Sequence, residues 1–145
     1  MSDPSFLPLA GGCGCETVRF ELTAPLLLAA YCHCTRCQRR SGTASAATAL
    51  ITPGSLTFRS GEDRLRTSWA GDGLEKLFCA DCGATMFGRR RASGDIVVVR
   101  LGAIDGDPRI RPSARQFVAD AAPWEPIPDD GLPRFDERIP AGLRP

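Results

Sequence analysis

Histidine and lysine are almost missing from this chain: 145 residues contain one of each, His33 and Lys76. The lone histidine sits inside a cysteine cluster, so a Ser/His/Asp triad has no base to use. Of 18 Lys and Arg residues only Lys76 is lysine, and 17 Asp and Glu bring the formal net charge to +1. A balance that close generates no global field to draw the protein to nucleic acid or to a membrane. The isoelectric point, about 7.6, is also below the range usual for nucleic-acid-binding domains. No stretch approaches the roughly 18 apolar residues of a membrane helix. The opening MSDPSFLPLAGG has neither the basic region nor the apolar core of a secretory signal. Phosphate-loop and dinucleotide motifs are missing, since GGCGCE does not fit GxGxxG. There is no internal repeat. The expected compartment is the cytoplasm, where thiols stay reduced.

Hydrophobic residues make up 43% and charged residues 24%, which is ordinary for one globular domain. Fifteen glycines and twelve prolines leave little room for long helices. The apolar residues alternate instead. Val18, Phe20 and Leu22 share a strand face, as do Leu56 with Phe58, Leu65 with Thr67 and Trp69, and Ala47 with Ala49 and Ile51. The β-branched run Ile96–Leu101 predicts a central strand buried on both faces. Turn signals separate these runs at Pro53-Gly54, Ser60-Gly61, Gly71-Asp72-Gly73, Ser93-Gly94-Asp95 and Gly106-Asp107-Pro108. The pattern predicts an all-β sandwich or partly open barrel. One short helix is expected over Thr35–Ser41, with Thr35 and Gln38 as a capping box and Gly42 as its stop. From Pro123 the chain is Pro-rich, and an extended tail packed by Trp124, Ile127, Leu132 and Phe135 is expected. The domain is expected to span 11–140, with 1–10 as an N-terminal segment and 141–145 as a tail.

Seven cysteines is an odd number, which fits poorly with a paired disulfide framework. They fall in three clusters: Cys13-x-Cys15, Cys32-x-Cys34-x-x-Cys37 and Cys79-x-x-Cys82. Two close pairs far apart in sequence suit a tetrahedral Cys₄ zinc site, here Cys13, Cys15, Cys79 and Cys82. Glycines at positions 11, 12, 14 and 83 free the backbone to wrap an ion. The alternative is a set of unligated buried thiols. A redox C-x-x-C at Cys79 and Cys82 lacks its βαβ setting. Cys32, Cys34 and Cys37 offer three ligands and an open position, the arrangement of catalytic zinc. A closed site completed by His33 or an acid, and a metal-free redox cluster, both stay open on spacing alone. Cys37 would lie in the helix's first turn, where the dipole favours a thiolate.

CHCTRCQRRSG (Cys32–Gly42), read with GCGC (Gly12–Cys15) and CADCG (Cys79–Gly83), resembles the glutathione-dependent formaldehyde-activating enzyme family, which includes the centromere protein V type domains. The LGAIDGDP stretch (Leu101–Pro108) and the APW…LPRF tail (Ala122–Phe135) extend the resemblance from Gly11 to about Pro140. It implies a mainly β, β-tent fold of antiparallel sheets clamped by zinc, with one short helix. It assigns a structural zinc to Cys13, Cys15, Cys79 and Cys82, and an active-site zinc to Cys32, Cys34 and Cys37. It implies a carbon–sulfur lyase that condenses glutathione with formaldehyde. One departure is visible: the histidine that members commonly carry before the tail tryptophan is missing from SARQFVADAAPW.

On this reading the three-cysteine zinc holds a substrate thiol as thiolate for attack on a small carbonyl. Arg36, Arg39 and Arg40 are the candidates to receive glutathione's carboxylates; their plainer role is a solvated helix face. Two alternatives stand beside it. One is a non-catalytic zinc-stabilised binding module, for which Arg89-Arg90-Arg91 would be the contact surface. The other is the same enzyme type acting on a different thiol or carbonyl compound.

Overall fold

The computed structural model describes residues 3–69, 71 and 73–145; Asp72 of the expected Gly71-Asp72-Gly73 turn lies outside them. The fold is mainly β, with two sheets and one α-helix. The strands are β1 (Leu9–Gly12), β2 (Arg19–Leu22), β3 (Leu28–Cys32), β4 (Ala46–Leu50) and β5 (Leu56–Ser60). They continue with β6 (Leu65–Ser68), β7 (Glu75–Cys79), β8 (Thr85–Arg89), β9 (Ile96–Arg100) and β10 (Arg115–Gln116). The helix α1 (Thr35–Ser41) follows β3. The small antiparallel sheet runs β1-β2-β5; the large one runs β10-β3-β4-β9-β8-β7-β6, antiparallel except for the β10–β3 pair.

The core lies between the inner faces of the two sheets. Val18, Phe20 and Leu22 are 0, 1 and 0% exposed, so the alternation in the sequence reports their inward face correctly. Across the large sheet the register lines up Ala29, Ala49, Val99, Phe87 and Leu77 in one row, each at most 2% exposed. Phe20 and Phe58 from the small sheet meet Phe87 edge-on, with ring centroids 4.9 and 5.7 Å apart. These contacts seat one sheet on the other.

Several expectations are corrected. Ile96–Leu101 is central but not buried on both faces: Val97 and Val99 point into the core, while Ile96, Val98 and Arg100 are only half-buried. Trp69 follows β6 rather than belonging to it; it is 43% exposed, and the Arg91 guanidinium lies 3.7 Å from its ring centroid. Trp124 does not pack the tail, being 64% exposed; Ile139, 4% exposed, is the tail's buried anchor instead. Ile127, Leu132 and Phe135 are half-buried. The helix spans the expected residues, and Gly42 stops it in the left-handed conformation at φ 68°. Its N-cap, however, is Cys34, whose Sγ accepts the Cys37 N–H at 3.3 Å. No capping box forms, because Gln38 Nε2 donates to the His33 and Asp120 carbonyls, both at 2.8 Å.

The C-terminal segment lies along β10. Arg115 N–H donates to the Pro133 carbonyl and Phe135 N–H to the Arg115 carbonyl, both at 2.9 Å. The Arg115 side chain fixes this arrangement. It donates to Asp130 Oδ2 at 2.7 Å, contacts His33 Nε2 at 3.2 Å and stacks on the Tyr31 ring at 4.4 Å. No helix among the described residues is long and apolar enough to cross a membrane.

Candidate metal centres

Two hairpin turns bring the first cluster together. Cys13 and Cys15 sit in the β1–β2 turn, Cys79 ends β7 and Cys82 lies in the β7–β8 turn, so the cluster joins the small sheet to the large one. The ligand atoms of all four lie within 4.8 Å of one another. Sγ–Sγ distances are 3.6 Å for Cys13–Cys15 and 3.9 Å for Cys15–Cys79. A tetrahedron with metal–sulfur bonds of 2.3 Å has an edge of about 3.8 Å, so the spacing fits zinc. A disulfide would need about 2 Å, and all seven cysteines are free.

Backbone donors surround these sulfurs. Val18 N–H points at Cys13 Sγ (3.3 Å) and Asp81 N–H at Cys79 Sγ (3.4 Å). Gly83, at φ 79°, closes the β7–β8 turn with its N–H on the Cys79 carbonyl at 2.8 Å. Backbone N–H groups of Ala84 and Cys15 pull the Cys82 thiol down to about 6. Hydrogen bonding to Thr17 lowers Cys15, whereas burial pushes Cys79 up to about 11. Cys13 and Cys79 are buried and Cys15 and Cys82 exposed. The cluster therefore reaches from the core to the surface.

The second cluster lies on the outer face of the large sheet. Cys32 ends β3, Cys34 caps α1 and Cys37 is its buried residue; they are 6, 9 and 6% exposed. Their sulfurs also lie within 4.8 Å of one another. Ala46 and Phe117 pack against them. Phe117 holds a left-handed backbone at φ 56°, a strained conformation for a bulky residue, and that conformation sets it against the three thiols. Hydrogen bonds from Cys32 and Cys34 hold the Cys37 thiol far below the ordinary thiol range, with Arg100 and Lys76 adding to the effect. The same sharing pushes Cys32 far up. One thiolate is thus favoured within the trio even before a metal binds.

His33 is not a member of the trio. It is 3% exposed, its ring meets Arg115, and burial followed by the Arg115 charge lowers its pKa. Among the described residues no fourth Cys, His, Asp or Glu joins Cys32, Cys34 and Cys37. Three soft sulfur donors with no protein-supplied fourth fit a zinc ion that keeps an exchangeable position. On α1, Arg36 and Arg39 are exposed and Arg40 is half-buried. The Arg89-Arg90-Arg91 run is not a free basic patch, because Arg89 and Arg91 both pair with Glu75, at 2.8 and 3.3 Å.

The sequence reading missed Lys76 and Arg100, two cations of the sheet whose charges act on Cys37. Neither belongs to a motif, and only the cross-strand register brings them there.

The chain is similar to known proteins. The family model for glutathione-dependent formaldehyde-activating enzyme matches residues 8–120. The crystal structure of a Rhodobacter sphaeroides protein, a structural-genomics target, is similar with a TM-score of 0.52 and 25% identity. The match covers 87% of this chain and 98% of that one. No curated protein matches the chain. With the seven cysteines gathered into two groups inside the matched span, this chain belongs to the glutathione-dependent formaldehyde-activating enzyme family.

Proposed function

We propose that the protein is a zinc-dependent carbon–sulfur lyase that joins a thiol, glutathione, to formaldehyde. The observation that carries this reading is the three-thiol cluster with no fourth donor among the described residues. Zinc bound by Cys32, Cys34 and Cys37 would take the substrate thiol in its fourth position and keep it deprotonated at neutral pH. Cys13, Cys15, Cys79 and Cys82 would hold the second, structural ion.

The chain's residues supply the rest. Phe117 and Ala46 wall the thiols with apolar surface, which keeps water from competing for the carbonyl. α1 presents Arg36, Arg39 and Arg40 on the same side of the sheet, where they favour a substrate bearing carboxylates. In the condensation the sulfur lone pair forms the new S–C bond. The carbonyl π pair moves to oxygen, which takes a proton from solvent, giving S-(hydroxymethyl)glutathione. Only the substrate thiol must give up a proton beforehand, so no histidine base is required. The missing tail histidine and the structural engagement of His33 are both consistent with that economy.

The test is to mix zinc-loaded protein, glutathione and formaldehyde and follow the adduct by NMR. Formation above the buffer rate is expected, with loss in Cys34→Ala as zinc per chain falls from about two to one. A rate equal to buffer alone overturns the formaldehyde assignment.

A further inference from the structure

The outer face of the large sheet carries charge that the zinc ligands do not explain. The register places Ala30, Thr48 and Arg100 in one cross-strand row. The next row is Leu28, Leu50, Val98, Gly88 and Lys76. Arg100 therefore stands one row from the Cys32–Ala46 pair.

Lys76 begins three strands from β4, yet its ammonium lies inward of that position. The reason is Gly88. A Cβ there would stand 3.1 Å from Val98 Cβ, 3.1 Å from Leu74 Cδ1 and 3.5 Å from Lys76 Nζ. The missing side chain clears a path across β8, and Lys76 Nζ occupies it. From there its charge acts on Cys37 and Cys32 and meets those of Arg100 and Arg40. Arg100 likewise acts on Cys37.

Neither cation has a carboxylate partner among the described residues, whereas Arg59, Arg89 and Arg115 on other strands all do. Arg100 Nη1 is buried with no hydrogen-bond partner at all. Two cations without carboxylate partners beside a desolvated trio of thiols make a suitable anion receptor.

We infer that Lys76 and Arg100 form a carboxylate subsite beside Cys32, Cys34 and Cys37, selecting thiols that carry a carboxylate near the sulfur. The inference rests on the reading that a substrate thiol docks at the trio; it deepens that reading by moving carboxylate recognition from the α1 arginines to the sheet. Glutathione meets the requirement only through its glycine carboxylate, one residue from the sulfur, whereas a short thiol-carboxylate meets it directly. The subsite is a specificity element and forms or breaks no bond.

The experiment uses three simple thiols as probes with the zinc-loaded full chain, by calorimetric titration: 3-mercaptopropionate, 2-mercaptoethanol and cysteamine. The thiol-carboxylate is expected to bind at least about tenfold more tightly than the other two, as a charge-assisted contact implies. That preference should shrink in high salt. It should fall to within about twofold in Lys76→Gln and in Arg100→Gln, with zinc per chain unchanged, and be largely kept in Lys76→Arg. Equal affinity of the wild type for all three probes overturns the inference and needs no variant. So does a preference that survives both glutamine variants, or loss of zinc from either, which would make the cations charge-balancing groups for the metal. None of these measurements uses formaldehyde, so failure of the lyase assignment and failure of the subsite are read separately.

Discussion

Removing the exposed half of the four-cysteine cluster isolates what the cross-link contributes. Cys15 and Cys82 are exposed, so the double variant Cys15→Ala, Cys82→Ala leaves no core cavity. It removes one ligand from each hairpin and should release the ion. The bridge between the two turns spans 64 residues, from Cys15 to Cys79. Treated as a covalent cross-link, a loop of that length removes about 4 kcal/mol of unfolded-chain entropy. At roughly 3 °C per kcal/mol for a domain of this size, the melting temperature should fall by about 12 °C. The two remaining thiols, Cys13 and Cys79, then sit beside N–H donors without a metal, which deepens the loss.

The assay is a thermal melt with zinc counted by mass spectrometry on the same samples. The double variant should lose one zinc and at least 10 °C or so. Cys34→Ala should also lose one zinc yet melt within a few degrees of the wild type, since Cys32, Cys34 and Cys37 lie within 5 residues of one another and close no long loop. A double variant that has lost its zinc but melts within about 3 °C of the wild type refutes the clamp reasoning. Equal losses in the two variants would refute the assignment of separate roles.

Other consequences are more local. Gly11→Ala would place a Cβ 2.2 Å from the Ala103 carbonyl oxygen and 2.5 Å from Phe20 Cζ; a loss of about 2 kcal/mol is expected by denaturant titration, and an unchanged midpoint would contradict it. Phe87→Ala removes the ring that both Phe20 and Phe58 meet edge-on, so about 3–5 kcal/mol should disappear in the same assay. Arg115→Met cuts the contacts to His33 and Asp130; hydrogen exchange should accelerate at the amides of Arg115 and Phe135, while β1 and β2 stay protected.

Much of this was legible because residue type and local geometry agreed. Val18, Phe20 and Leu22 alternate in sequence and are buried together. The helix boundaries follow from Gly42 and the short polar run before it. The cysteine groups follow from spacing, because a metal site needs donors a fixed distance apart. What failed depended on partners distant in sequence. Trp124 is expected to pack the extended tail, but the tail is anchored by Arg115 and Ile139 instead. Thr35 was expected to cap α1, but the Cys34 sulfur reaches the Cys37 N–H first. Lys76 and Arg100 carry no local signal; the sheet register and the small side of Gly88 decide where their charges go.

The two clusters also answer one electrostatic problem in different ways. Four thiolates outweigh a divalent cation, and three do so as well; an incoming thiolate adds a further negative charge to the trio. The four-cysteine cluster opens to solvent through Cys15 and Cys82, so water, backbone N–H groups and Thr17 disperse its charge. The adjacent Arg64 is paired with Asp81. The trio is buried under Phe117 and cannot rely on water. On the sheet beside it, Lys76 and Arg100 have no carboxylate partner among the described residues and can meet the charge of an incoming anion. An ion that serves only the fold can be placed where solvent neutralises it. A centre that must accept a charged substrate away from water needs its counter-charge built in beforehand, because binding an anion beside an already negative, desolvated cluster would otherwise be repulsive. On the proposed function, Lys76 and Arg100 make the three-cysteine cluster, rather than the four-cysteine one, the site at which substrate binding is to be tested.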